Sequence, residues 1–510
     1  MMLFVYLCCA ALGFSCLIAL SFTALAVLLY RKRYHFRMIP GPPIKDFFRG
    51  HVSELRERYK QGKAFHTWHL ELCQQYGNIF ILWTMHHERI YVCHPDNVRK
   101  VLVNSIHSKS PDIYRKSYAI YGKRFLGSGL ASNVNHADWQ RRHIAIAPAF
   151  QTRQLRHRMC DFNDITRRFI SRLEGSKCKV LSMKQLFPLL TVELIAKVAL
   201  GLDSQTIQDS ISNSSIPRAL AAACRGYLTE RLNPLLWLKP WKRGTLHGIH
   251  NAVEQIRQIS KDCICKRQNE LMAGSETPND GLDHIIKMAQ VHPDLTLEDL
   301  IDEVVTIFVA GFDTAATTLC LAIRELSQVP DVEKQLLEEI TQVLGSRRNV
   351  EFEDLTKLQY TTAIIKEVLR LYPAAYATIR QLQNTQSMCG VEVPSGSNVV
   401  VSFYVMHRLP EYWKEPEKFS PNRFLNQNNG SIHSFTYLPY SAGPRMCLGK
   451  QLVTIEMKVA LALLYQTFRF EVMEDPDTWG LTQDMILRPN TEIKCKLHLR
   501  SEDIERHKKT

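Results

Sequence analysis

The sequence predicts a mainly α-helical body with a small β lobe, tethered by one N-terminal transmembrane helix. Residues 1–30 contain no charged side chain, and a stretch that long can span a bilayer with residues to spare. Two β-rich runs, Ile79-Phe-Ile-Leu-Trp83 and Ile90-Tyr-Val-Cys93, flank a short polar connection and read as a hairpin. From about Asp138 onward the patterns are mostly helical.

At 510 residues the chain has room for several domains or for one large two-lobed unit. Its 45% hydrophobic and 22% charged residues describe a globular body rather than a disordered or fibrous one. A net charge of +14 allows nucleic acid, an anionic membrane surface or an acidic protein as partner. No zinc-finger spacing or long basic-aromatic stripe supports the first, so no nucleic-acid partner is expected. The 14 cysteines are irregularly spaced and form no CxxC pair, Cys263 and Cys265 coming closest. That usage fits a reducing, cytosol-facing body.

The apolar run is followed at once by Arg31, Lys32, Arg33 and Arg37, which hold that end in the cytosol by the positive-inside rule. A cleavable signal would have a shorter apolar core and would place its basic residues first. The expected organisation is an anchor over 1–30, a basic and proline-rich hinge over 31–50, the body over 51–500 and a charged tail over 501–510. Pro40-Gly-Pro-Pro43 cannot continue a helix and stiffens the exit from the anchor. In Trp139-Gln-Arg-Arg-His143, positions three and four apart share a face. Between 204 and 244 the landmark is a stretch of apolar and Trp residues flanked by Lys239, Lys242 and Arg243, which suits a membrane interface.

A long helix is expected to open at Thr296-Leu-Glu-Asp299, which resembles a capping box, and to run into Ile323. Gly311 in its middle costs about 1 kcal/mol relative to Ala, so something must offset it. Asp313-Thr314 puts an acid beside an alcohol in an apolar helix, where polar groups need partners. Glu367-Val-Leu-Arg370 places a carboxylate and a guanidinium on one face of a helix that ends before Pro373.

The stretch with the most chemistry is Tyr440-Ser-Ala-Gly-Pro-Arg-Met-Cys-Leu-Gly449. Gly443 and Gly449 let the backbone turn tightly and approach a flat ligand. An apolar helical run follows Gly449, placing Cys447 at a helix N-terminus, where free N–H groups and the dipole favour a thiolate and hence a metal ligand. Arg445 adds a fixed cation. A lone cysteine is commonly buried and inert, but the spacing here is distinctive. An aromatic, Gly at +3, Arg at +5, Cys at +7 and Gly at +9 resembles the haem-binding loop of the cytochrome P450 superfamily, the haem-thiolate monooxygenases. Tyr440 stands where Phe is usual, and its hydroxyl needs a partner.

The resemblance extends from the Pro-rich segment, similar to the hinge of microsomal members, through the helix after the Cys loop. It implies the cytochrome P450 fold and haem b, with Cys447 as the axial iron ligand whose electron donation favours O–O cleavage. It further implies hydroxylation of a lipophilic substrate, with O2 and electrons from NADPH arriving through NADPH-cytochrome P450 reductase, at the endoplasmic reticulum membrane. Ala310-Gly-Phe-Asp-Thr-Ala315 resembles the oxygen-activating segment, with Ala315 where Thr or Ser is common. There Gly311 would let the helix pass close over the haem, while Thr314 and Asp313 would steer protons.

In the family a Trp and the basic residue at +4 bind a propionate. Here the +4 residue is His143, and Arg142 at +3 is permanently charged, so both are candidates, with Trp139 and Arg142 preferred. Arg380 matches a second propionate position, and Arg445 would be a further partner. Glu367 and Arg370, completed by Arg423 in Pro421-Asn-Arg-Phe424, would form a buried network bracing the haem loop. Lys450, Arg141 and Arg142 would steer an acidic reductase. By position, the stretch Leu232–Gly244 would cover the substrate entrance.

Within the superfamily, several stretches are most similar to sterol hydroxylases: Arg124-Phe-Leu-Gly-Ser-Gly-Leu130, Phe352-Glu-Asp-Leu355 with Leu358-Gln-Tyr360, Leu369-Arg-Leu-Tyr-Pro373, and Tyr404-Val-Met406. They imply hydroxylation of a sterol side chain. The alternatives are long-chain fatty acid hydroxylation, reductase-independent rearrangement of a lipid peroxide, and haem carriage without turnover. Asp313-Thr314 argues against the peroxide reading, which needs no proton delivery to dioxygen.

Overall fold

Apolar patterning drives one helix, Leu297–Gln328, through the middle of the body. It is as apolar as a membrane span, yet its most apolar stretch is 83% buried inside the protein, which makes it a core helix. Its start is fixed by a capping box. The Thr296 hydroxyl accepts from the Asp299 N–H at 3.3 Å, and the Asp299 carboxylate accepts from the Thr296 N–H at 2.9 Å. The helix runs five residues past Ile323, the expected end, before Pro330 opens the next one. Packed around it are Met183–Leu194, Arg243–Met272, Gln359–Leu371 and Lys450–Thr467. The computed structural model describes residues 2–62, 64–103, 107–175, 180–202, 215–425, 433–473, 479–483 and 485–500. The expected charged tail, 501–510, lies outside them.

The β lobe is built on the expected hairpin. Ile79–Thr84 pairs antiparallel with His87–Val92, Thr84 facing His87 across a turn in which Met85 has φ +59°. The second strand begins earlier than its apolar run, because the ladder continues through Glu88 and Arg89. Asn398–Ser402, Ala377–Gln381 and Ser108–Lys109 complete a five-stranded sheet. Its core, including Phe80, Ile90, Val399 and Val401, is separate from the larger helical core.

The N-terminal helix spans Met2–His35 and so runs past residue 30. Its basic end is not a set of free charges. Lys32 pairs with Glu88 at 2.7 Å, and the Arg33 guanidinium lies 5.0 Å from the Phe47 ring and 5.5 Å from that of Trp83. The Pro-rich segment is tied to the sheet, the Ile81 N–H donating to the Pro40 carbonyl at 2.9 Å. Between the helices Ser215–Leu232 and Arg243–Met272, Leu235, Trp237, Leu238 and Trp241 are exposed, with Trp241 at 76%.

Candidate active site

Cys447 sits where the chain turns into the helix Lys450–Thr467. The two glycines of the loop serve different ends. Gly443 has φ +73°, and a Cβ on it would stand 2.0 Å from the Leu102 carbonyl oxygen, so conformation and packing both exclude a side chain. At Gly449 a Cβ would meet nothing within 4 Å, and the residue borders a cavity of about 400 Å³. That is room left for a flat ligand. The Cys447 N–H closes the loop by donating to the Tyr440 carbonyl at 3.0 Å, and Tyr440 packs against the larger helical core.

Cys447 keeps open surface, and it opens on this cavity. Burial pushes its thiol pKa up, although the backbone N–H groups of Gly449 and Lys450 and the Lys450 charge pull the other way. The sequence suggests that the helix end favours the thiolate; here desolvation is the larger effect. Metal coordination, not the helix end, would have to hold this sulfur deprotonated.

One edge of the cavity is crowded with cations. Arg380 donates Nη1 to Thr378 Oγ1 at 2.7 Å and leaves Nε without a partner. Arg445 donates Nη1 to the Asn133 carbonyl at 3.0 Å, stacks 3.9 Å from the Trp139 ring centroid and leaves Nε and Nη2 unpartnered. Lys109 donates to the Ala131 carbonyl at 2.5 Å. Lys109 and Arg380 also stand directly opposite each other across two strands, an arrangement of like charges that is unfavourable by itself. Burial pushes all three pKa values down, Arg445 to about 9, and for Lys109 and Arg445 the neighbouring arginines push further. Among the described residues no carboxylate pairs with any of them. A ligand bringing carboxylates to this edge and an apolar plane to the walls formed by Leu369, Phe403, Leu448 and Leu452 fits the space. Haem, with two propionates on a flat ring, is such a ligand.

The helix His136–Ile146 divides its residues differently from expectation. Trp139 and His143 stack with ring centroids 4.8 Å apart and both border the cavity. Arg142, the preferred propionate partner, turns away. It bonds Asp138 at 3.0 Å and Asp299 and Glu303 at 3.2 Å. With three carboxylates already around it, Arg142 has no donor to offer the cavity, and His143 takes the position facing it. Arg141 is likewise taken up by Asp138 and by Asp294 at 2.6 Å, so of the three residues expected to steer a reductase Lys450 remains. Lys109 was not legible in the sequence, since a two-residue strand has no pattern.

From the long helix, Thr306, Ala310, Thr314 and Thr318 line the cavity at four-residue spacing. The Thr314 hydroxyl donates to the Ala310 carbonyl at 2.8 Å. Asp313, adjacent in sequence, lies on a different face and is ion-paired with Arg488. Gly311 lines the cavity too, and it has a second, local reason. A Cβ there would come 2.5 Å from Ile195 Cγ1, so the glycine lets the segment Ile195–Ala199 pack against the helix.

The expected charge network is assembled. Arg370 grips both Glu367 oxygens at 2.8 and 2.9 Å, with both residues fully buried, and Arg423 Nε reaches Glu367 at 3.0 Å. A residue not singled out in the sequence connects it to the Cys loop. His407 accepts the Leu438 N–H on Nε2 at 2.7 Å, so its Nδ1–H is the donor to the Arg370 carbonyl at 3.1 Å. Burial pushes the His407 pKa to about 3, keeping it neutral in this role.

The chain matches the family Cytochrome P450 over residues 40–497, and it belongs to that family. It is therefore a haem-thiolate monooxygenase with a single N-terminal apolar helix. Among its relatives, Cytochrome P450 3A29 of Sus scrofa is 27% identical, over 87% of this chain and 89% of the relative. Cytochrome P450 4V2 of Homo sapiens is 26% identical over 93% and 92%, and that of Rattus norvegicus 29% over 80% of each.

Proposed function

We propose that this monooxygenase hydroxylates an unactivated C–H bond in the side chain of a sterol, with haem b as cofactor. The carrying observation is one cavity that joins a cysteine sulfur, a Thr314 hydroxyl and an edge of buried cations lacking an anion. The sterol reading is supported by the stretches resembling cholesterol 24-hydroxylase: Arg124–Leu130, 352–355 with 358–360, 369–373 and 404–406. Cys447 would ligate the iron as thiolate. Arg380, Arg445 and Lys109 would hold the propionates, with Trp139 and His143 closing that edge. Haem bound there supplies the iron that activates dioxygen for insertion of one oxygen atom into substrate.

Thr314 Oγ1, fixed by its bond to the Ala310 carbonyl, keeps lone pairs available to take and pass a proton within the cavity. Supply from Asp313 requires its pair with Arg488 to open first. Electrons would come from NADPH-cytochrome P450 reductase. An acidic partner is favoured by Lys366, Lys450 and Lys458, since Lys450 and Lys458 flank Lys366 closely enough to interact with it electrostatically. The N-terminal helix and the exposed Trp237 and Trp241 suit attachment to the endoplasmic reticulum membrane with the body in the cytosol.

Incubating the purified protein with NADPH, reductase and either cholesterol or a long-chain fatty acid tests the substrate. A hydroxysterol is expected; turnover of the fatty acid with no hydroxysterol overturns the sterol reading. Thr314→Ala should separate NADPH use from product and release peroxide, and fully coupled turnover would contradict the proton role.

A further inference from the structure

Three cysteines converge in the β lobe around the backbone at Asn78, where the helix Phe65–Tyr76 turns into the strand Ile79–Thr84. Tyr91 and Cys93 lie two apart on an extended segment and so share a face, and His69 and Cys73 share a face one helical turn apart. The Tyr91 hydroxyl and His69 Nε2 are 2.9 Å apart, with ring centroids at 4.4 Å. One further step along strand and helix brings Cys93 to Cys73, because the Cys93 N–H donates to the Asn78 carbonyl at 2.8 Å, just past the helix end. Both cysteines belong to the core of the lobe, at 0% and 4% exposure for Cys93 and Cys73. The neighbouring Cys73 thiol and burial push the Cys93 thiol up.

The third, Cys389, is exposed. It stands in the turn of the hairpin formed by Gln386–Met388 and Val391–Val393, with φ +50° at Cys389 and +79° at Gly390. Positive φ at both central positions favours Asn-Gly, so the backbone gives no reason for a cysteine there. Its sulfur is held from two sides. Asn97 Nδ2 donates to Sγ at 3.1 Å, and the S–H donates to the Asn78 carbonyl at 3.8 Å, the same oxygen that takes the Cys93 N–H. The exposed thiol thus lies beside the buried pair. Burial pushes it up, while the Asn97 amide and the Lys100 charge pull it down, which makes it a guarded thiol rather than a catalytic one.

We propose that Cys389 is a peroxide-modified thiol whose oxidised sulfur is captured by the Cys73–Cys93 pair as an intramolecular disulfide. The Cys389 sulfur attacks hydrogen peroxide: an S–O bond forms, the O–O bond breaks, and the thiol proton leaves with the departing oxygen as water. A thiol of the pair then attacks the sulfenic sulfur, an S–S bond forms, the S–O bond breaks and a second water leaves. Overall two thiols give up two electrons, and one peroxide becomes two waters. A monooxygenase is itself a source of peroxide when electrons miss the substrate. The buried pair is shielded from the oxidant and meets it only through Cys389. In a reducing compartment thiol exchange opens the bond again, so the modification is transient.

The test treats the haem-loaded full chain with limiting hydrogen peroxide, alkylates the remaining thiols with N-ethylmaleimide in denaturant, and maps peptides by mass spectrometry before and after dithiothreitol. Cys389 and one member of the pair should lose alkylation together, in a cross-linked peptide that dithiothreitol separates. Cys160, also exposed, should form no such link. Replacing both Cys73→Ala and Cys93→Ala should stop Cys389 at the sulfenic acid, which dimedone then labels, and Cys389→Ala should leave the pair fully alkylated. The carbon monoxide spectrum of untreated samples checks that each variant is folded around haem. A link that persists in Cys389→Ala, or a Cys389 left alkylatable while Cys160 is consumed, overturns the site. Conversion of Cys389 to the sulfinic acid with the pair untouched overturns the capture.

Discussion

Arg142 and His143 are neighbours with opposite roles. Arg142 balances Asp138, Asp299 and Glu303, so Arg142→Ala would strand buried carboxylates and should lower unfolding stability by about 3–5 kcal/mol. His143→Ala should leave stability nearly unchanged and speed haem loss to an acceptor protein; equal thermal shifts for the two would contradict this division. Glu303 makes a pH prediction. Burial outweighs the Arg142 charge and pushes its pKa up to about 7. Between the ordinary carboxyl range and pH 7 the folded protein thus holds a proton that the unfolded chain has released. Stability should fall as pH rises through that window and level off above it. Glu303→Gln should flatten this part of the profile, as followed by denaturant melts across pH.

At the scale of elements, the helix Leu297–Gln328 is defined by what it lets approach. Gly311→Ala gains helix propensity of about 1 kcal/mol, but its Cβ would overlap Ile195, at a cost of about 1–3 kcal/mol. The net change should be destabilising, and Ile195→Ala in the same chain should cancel the overlap. Strict additivity in that double-mutant cycle would show that the two residues do not meet. The network under the Cys loop is stiffer. Glu367→Gln leaves Arg370 buried without its carboxylate, and a loss of about 3–5 kcal/mol with poor haem retention is expected in thermal unfolding of the loaded protein.

For the whole molecule, the end of the N-terminal helix is docked on the β lobe, Lys32 pairing with Glu88 and Arg33 lying over the Trp83 ring. Removing residues 1–30 should still leave a protein that sediments with anionic vesicles through Trp237 and Trp241. Replacing both with Ser in the shortened chain should release it; vesicle binding that persists would place the second contact elsewhere.

Much of this architecture was legible from sequence where one periodicity governs a long stretch: the anchor, the capped core helix, the hairpin and the Cys loop. What was not legible depends on which way a side chain turns. A 100° step between Arg142 and His143 decides which one meets the cavity, and the acids that decide it come from residues 299 and 303, far along the chain. Lys109 gains its meaning from standing opposite Arg380, and Gly311 from Ile195, contacts that no local pattern encodes.

The most direct test is the carbon monoxide difference spectrum of the reduced protein, recorded for wild type beside Cys447→His. The wild type should show the red-shifted Soret band of a thiolate-ligated haem, and the variant should lose it while still binding haem. A thiolate-type band that survives the substitution would mean that another sulfur holds the iron, and Cys447 would not be the ligand.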